Sequence, residues 1–246
     1  MLLKIGTFIL TAILCCGNLM SQQIFITQGK IEYERKTNQY SFMDEGNIWD
    51  DIQKKNSSKF ITYYYDLTFK NGNMFYQPGR DPEIKQNKYW SVLPSENKIL
   101  TNLDSGTTII QRNIFNDMYT VSDSVRKIEW RITPEIRKIA GFDCRKAVGK
   151  IMDSVIVVAF YTDDIVPSGG PETFTGLPGM ILGLAIPRLH TTWYATKLQM
   201  TEVTDKDFTL PKKGRKMTGA DYHKQVTDLI KQWGEQGAKF GWQLFL

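Results

Sequence analysis

The stretch that decides the fold is Asp66-Leu67-Thr68-Phe69-Lys70-Asn71-Gly72-Asn73-Met74-Phe75-Tyr76. Two short runs rich in apolar residues flank an Asn-Gly pair, the dipeptide that accepts the positive φ a two-residue hairpin turn needs. The spacing predicts a pair of antiparallel strands. Working outward, Lys59-Phe60-Ile61-Thr62-Tyr63-Tyr64-Tyr65 lies just upstream, and two further runs, Lys88-Tyr89-Trp90-Ser91-Val92 and Lys98-Ile99-Leu100-Thr101-Asn102-Leu103, follow downstream. Turn residues Asp104-Ser105-Gly106 then lead into Thr107 to Arg112. Short strands at about eight- to twelve-residue spacing, separated by turn residues, mark an antiparallel all-β region.

Both flanks extend the pattern. Upstream, Gly29-Lys30-Ile31-Glu32-Tyr33-Glu34-Arg35-Lys36 alternates Ile31 and Tyr33 with charges, as a half-buried strand does. The polar stretch Asn38 to Asn56 has weak helical character. Downstream, strands are expected at Met118 to Val121, Arg126 to Ile132, Ile136 to Ile139, Arg145 to Lys150 and Ser154 to Thr162. The run Val155 to Tyr161 is apolar on both faces, which predicts a central, covered strand. Leu177-Pro178-Gly179-Met180 reads as a type II turn, because proline presets φ at its first central position and glycine permits positive φ at the second. A strand from Met180 to Ile186 should then pair with Thr191 to Leu198. The basic cluster Lys212, Lys213, Arg215 and Lys216 reads as a solvated linker. Ala220 to Trp233 repeats apolar residues every three or four positions, an amphipathic helix beginning near Thr218 and placed at about 219–236. The apolar tail Phe240 to Leu246 should dock on a core. The expected fold is mainly β: a single antiparallel curved sheet or half-barrel with a C-terminal amphipathic helix.

At the other end, Lys4 precedes an apolar run from Ile5 to Cys16, the form of a cleavable export signal. The run is too short for a bilayer, which needs roughly 20 apolar residues. We assign residues 1–21 to the signal, cut after Ser21, and 22–246 to one β-rich domain with no membrane span. Leu14 before Cys15, and Cys15 before Cys16, do not make a lipobox, so the two cysteines read as filler of the apolar run. Cys144 is then the sole thiol, expected as a buried small hydrophobe in the strand-like run Ile139 to Ala147. The chain is 41% hydrophobic and 23% charged with net charge +5, values of an ordinary globular protein without the basic face that nucleic-acid binding requires.

Recognised catalytic spacings are missing from the sequence. His-Glu-x-x-His, Cys-x-x-Cys, Gly-x-Ser-x-Gly and phosphate-loop motifs do not occur. The two histidines, His190 and His223, have no cysteine or carboxylate at ligand spacing, so neither a metal nor a cofactor is expected. Asp163 and Asp164 are adjacent on an extended segment and point to opposite faces, which separates them as an acid-base pair. Six tryptophans, eleven tyrosines and thirteen phenylalanines are many for one small core. Tyr63, Tyr64 and Tyr65, with Trp193, are candidates for the wall of an aromatic groove.

Gly176-Leu177-Pro178-Gly179-Met180-Ile181 resembles the signature of the GLPGLI family of exported Bacteroidetes proteins, with methionine in place of its second leucine. Gly29 to Glu34, Trp130-Arg131-Ile132 with Ile139 to Ala147, and Phe160-Tyr161-Thr162 with Gly170-Pro171 resemble other blocks of that family. The resemblance implies a periplasmic or surface protein that accompanies a TonB-dependent outer-membrane transporter, and it brings no catalytic residues. The expected function is that of a non-enzymatic envelope accessory protein whose interaction loop includes Gly170, Pro171, Gly176, Leu177, Pro178 and Gly179. One alternative is a carrier of a hydrophobic ligand held against the aromatic groove. A second is an enzyme assembling Asp163, Glu172, His190 and Cys144 from distant positions.

Overall fold

A computed structural model describes residues 25–83, 86, 96–114, 117–210, 213–234, 237 and 241–246. The export signal and the Lys88 to Val92 strand lie outside the described residues. Twelve strands form one sheet: β1 (Gln28–Asn38), β2 (Phe60–Lys70), β3 (Asn73–Pro78), β4 (Lys98–Asn102), β5 (Thr107–Ile114), β6 (Asp117–Ser124), β7 (Arg131–Ile139), β8 (Phe142–Ile151), β9 (Val155–Thr162), β10 (Met180–Ile186), β11 (Thr191–Gln199) and β12 (Arg215–Thr218). Helix α1 (Ile48–Asn56) follows β1, and α2 (Gly219–Gln232) follows β12.

The strand order is β12-β6-β5-β4-β3-β2-β1-β11-β10-β9-β8-β7. Two meanders therefore grow outward from a central seam, where β1 pairs antiparallel with β11 from Lys30↔Gln199 to Thr37↔Thr191. Residues 125–130 carry the chain from one side of the sheet to the other. Successive strands pair antiparallel, as expected, and Asn71 takes φ 50° in the two-residue turn between β2 and β3. The sheet is mainly antiparallel and curved, and it does not close. Among the twelve strands the exception to antiparallel pairing is β12, which runs parallel to β6, from Arg215↔Tyr119 to Thr218↔Ser122. The basic run read as a linker thus supplies a strand, because the outer edge of β6 offers unpaired backbone groups.

Three other expectations are corrected. Arg126 to Ile132 is a strand only at its end: residues 125–130 belong to no ladder, and pairing begins at Arg131. Ile139 to Ala147 is not one strand but a hairpin, turned at Ala140 (φ 49°) and Gly141 (φ 92°), with Ile139 opposite Phe142. The Leu177 to Met180 turn is tighter than type II. Gly179 N–H donates to Leu177 O at 2.8 Å, while Met180 N–H turns away to Ile165 O at 3.1 Å. Gly179 has φ 133°, and a Cβ there would fall 2.1 Å from the carbonyl oxygen of Thr162, so only glycine fits.

Alternation sets what is inside. In β1 every second residue is buried, among them Ile31, Tyr33 and Arg35. They meet Tyr65, Leu67 and Phe69 of β2 and Trp193 of β11 in the main core. As the two-faced apolar run predicts, β9 is covered on most of its length. A second, smaller core joins Tyr119 and Val121 of β6 to Tyr222 and Val226 of α2 and Leu244 of the tail. Burying each such large side chain contributes roughly 1.5–3 kcal/mol. Thr218 caps α2, its Oγ1 accepting from Asp221 N–H at 3.1 Å.

Candidate functional site

The segment between β9 and β10, expected as an exposed interaction loop, is turned inward. Gly170, Pro171, Leu177 and Gly179 are buried, as are Glu172 and Phe174; Gly176 and Pro178 are exposed. Its backbone is pinned by Ile181 N–H donating to Gly169 O at 2.7 Å and by Gly176 N–H donating to Ser168 Oγ at 3.0 Å. A Cβ on Gly169 would lie 2.0 Å from Met74 Sδ, so the segment packs on β3 without clearance. It is a plug in the concave side of the sheet, which corrects the expectation of a free loop.

At the heart of the plug, Glu172 meets Arg35. Arg35 Nη1 lies 3.4 Å from Glu172 Oε1, and both side chains are 1% exposed. Asn97 Nδ2 donates to Glu172 Oε2 at 3.3 Å. The Arg35 guanidinium lies over the rings of Tyr65 and Tyr63, 4.8 and 5.0 Å from their centroids. Tyr65 in turn stacks on Tyr76 with centroids 4.9 Å apart. Glu172 holds φ 54°, a strained conformation for a residue with a long side chain. Burial pushes the Tyr65 and Tyr76 hydroxyls far above the usual phenol range. The pair is sealed, so it fastens the plug to β1 rather than meeting solute.

The aromatic groove is likewise not formed. Trp193 and Tyr65 are fully enclosed, while Tyr64 sits on the opposite face of β2 under Arg80, whose guanidinium lies 3.5 Å from the ring centroid. Asp163, Glu172, His190 and Cys144 have separate surroundings. Asp163 pairs with Arg145 at 3.3 Å, His190 stands edge-on to Phe42, and the Cys144 thiol contacts the Phe142 carbonyl oxygen. Burial pushes that thiol up to about 12. Among the described residues, no three His, Cys, Asp or Glu side chains gather as a metal site.

The open space lies elsewhere, where the sheet fails to close. A cleft of about 890 Å³ is walled on one side by β5, β6 and the start of α2, and on the other by β8, the β8–β9 turn and β9. Residues 125–130 cross its floor. Trp130 Nε1 fastens this crossing strap by donating to Thr175 O at 2.9 Å, and the strap lies so close to β8 that a Cβ on Gly149 would meet Ile128 and Trp130 at 2.8 Å. Arg126 lines both this cleft and a smaller one of about 360 Å³ beside Thr173.

Two arginines define the cleft's electrostatics. Arg112 is 1% exposed; its Nη1 donates to Tyr222 Oη at 2.9 Å and to Leu244 O at 2.6 Å, and its Nη2 to Leu246 O. Arg126 Nη2 donates to Phe245 O at 2.8 Å, while its buried Nη1 has no partner among the described residues. Burial, then the neighbouring Arg112 charge, lowers the Arg126 pKa against the pull of Asp123 and Glu172. Exposed Lys127, Arg131 and Lys150 stand on the strap, the start of β7 and the β8 wall. Sequence reading did not single these residues out, because they come from opposite ends of the sheet and share no local spacing.

Residues 149–183 match the model of a family described as a protein of unknown function, Porph_ging. The matched stretch carries Glu172 and Gly179 of the plug and the Gly149 to Asp153 wall of the cleft. Comparison with curated proteins finds no match. Two solved structures of PNGF-II, in different crystal forms, are similar in fold. One is 16% identical with a TM-score of 0.52 and covers 80% of this chain; the other is 15% identical with a TM-score of 0.53 and covers 81%. The chain spans about a third of the PNGF-II length, 32% and 33% of the two chains.

Proposed function

We propose that this chain is a non-enzymatic accessory protein of a bacterial envelope, of the exported GLPGLI type, which holds a polar solute in the cleft beside an outer-membrane transporter. The observation that carries this reading is the cleft itself. It is about 890 Å³, the size of a small-molecule site, and charged side chains stand on the strands and the strap that wall it. Over β1, β2 and β3 the plug and its aromatic neighbours pack as one core. A lipid carrier would need an open apolar groove, and Tyr65 and Trp193 are enclosed instead. The envelope assignment is supported by the apolar run Ile5 to Cys16 after Lys4, by the Gly176 to Ile181 signature, and by the match of residues 149–183 to a Bacteroidetes-associated family.

Affinity purification of the tagged mature chain from native envelopes tests this role. The expected result is recovery of an outer-membrane transporter by the native chain. Recovery of nothing above background would overturn the accessory role.

A further inference from the structure

The cleft contains an electrostatic imbalance that its own side chains do not resolve. Arg112 is buried and Arg126 half-buried; Arg112 donates to Tyr222 Oη, Leu244 O and an oxygen of Leu246, and Arg126 to Phe245 O alone. Among the described residues, no Asp or Glu comes within ion-pair distance of either. Buried charges are ordinarily paired, because desolvation of an isolated one is expensive. Arg35, deep in the plug, follows that rule through Glu172.

The surroundings add to the positive side. Lys127, Arg131 and Lys150 line the same space. The acids present are Asp123, Glu129 and Asp153. Asp123 is already committed: its carboxylate sits against the first turn of α2, where a Cβ on Gly219 would lie 2.1 Å from Oδ2. Helix N-termini attract negative charge, so this acid is shared between the helix end and Arg126. Arg126, Lys127, Arg131 and Lys150 thus face Asp123, Glu129 and Asp153, and one buried guanidinium nitrogen, Arg126 Nη1, lacks an acceptor among the described residues.

We infer that the cleft binds a ligand through an oxyanion group of the phosphate type, held by Arg126 and Lys127 from the floor and by Arg131 and Lys150 from the walls. Guanidinium and ammonium groups together suit a multivalent oxyanion, the first for directed hydrogen bonds and the second as mobile point charges. The assignment rests on the cleft being the ligand site. The same chemistry is offered by a free phosphorylated solute and by a phospholipid headgroup.

Inorganic pyrophosphate is the probe. Calorimetric titration of the mature chain at low ionic strength should give saturable binding, weakened at least fivefold by Lys150→Gln and at least tenfold by Arg126→Gln. Raising salt from about 50 to 200 mM should weaken it several-fold, since the exposed walls are screened. Glu129→Gln should strengthen it. Lys150 is exposed, so its substitution reports on binding even if Arg126→Gln impairs folding. Co-sedimentation with phosphatidylcholine vesicles containing phosphatidylglycerol separates the sources: vesicle binding that pyrophosphate competes away identifies a headgroup, and pyrophosphate binding without vesicle binding identifies a solute. Absence of saturable pyrophosphate binding, or binding unchanged by both substitutions, would overturn the inference. If pyrophosphate fails while a transporter is recovered from envelopes, only the ligand class falls. The converse result removes the transporter and leaves the site.

Discussion

The molecule places buried arginines in two regions and treats them differently. Arg35, inside the plug, has a carboxylate at 3.4 Å, aromatic faces and almost no contact with water. Arg126, beneath the cleft, has the Phe245 carbonyl oxygen instead and stands beside open space, with Arg112 next to it bound by Tyr222, Leu244 and Leu246. A charge paired internally is a fastening, and its ligand is the protein itself. A charge held by a single carbonyl oxygen, as on Arg126, keeps its electrostatic field available to an incoming group. The contrast separates what the fold needs from what the site offers, although the side-chain type is the same.

The comparison is sharpest at Glu172. Glu172→Gln keeps the shape but leaves the Arg35 charge buried without its counter-ion, and removing one partner of such a pair costs about 3–5 kcal/mol. Chemical denaturation should show that loss; a change below about 1 kcal/mol would mean the plug is not fastened by charge. Gly179→Ala strikes the same region through the backbone and should cost about 3 kcal/mol, by strain at φ 133° and contact with Thr162. In the cleft, Arg126→Gln should cost only about 1 kcal/mol, the worth of its hydrogen bond to Phe245. A loss as large as that of Glu172→Gln would erase the distinction between the two regions.

A pH test probes the core beneath the plug. The Cys144 thiol is pushed up to about 12 by burial, while in the unfolded chain it ionises near its ordinary value, about 8.5. The unfolded state then binds fewer protons, so stability falls as pH rises above about 8.5 toward 12. By pH 10 Cys144 alone should account for about 1 to 2 kcal/mol, and Cys144→Ala should flatten that part of the pH curve. An identical curve in the variant would show that Cys144 is not buried as described. The smallest effect is expected from Lys150→Gln, within about 0.5 kcal/mol, because an exposed side chain away from caps and pairs contributes little to folding.

Much of the fold is legible in the sequence because its signals are local. Asn71-Gly72 fixes the β2–β3 hairpin, the two-faced apolar run marks β9 as covered, and three- and four-residue spacing marks α2. What escaped depends on partners distant in sequence. Arg126 to Ile132 has the composition of a strand, yet residues 125–130 cross an opening where no ladder is available. Arg215 to Thr218 lacks any alternating pattern and becomes a strand because β6 has a free edge. Glu172 reads in the sequence only as one member of a candidate cluster with Asp163, His190 and Cys144, since its arginine lies 137 residues away. The cleft was invisible for the same reason: its walls come from strands on opposite flanks of the sheet.

The seam between β1 and β11 also governs how this chain can acquire its structure. Lys30 must find Gln199 and Thr37 must find Thr191, contacts separated by more than half the chain. Until residues 191–199 arrive, the first meander has β1 as a bare edge of eleven residues, and its inner face lacks the plug and Trp193. Such long-range pairing slows folding, and an unpaired edge invites association with other chains. Among the strand pairs described, this seam has the longest chain separation, and it is the pairing that covers the β1 edge.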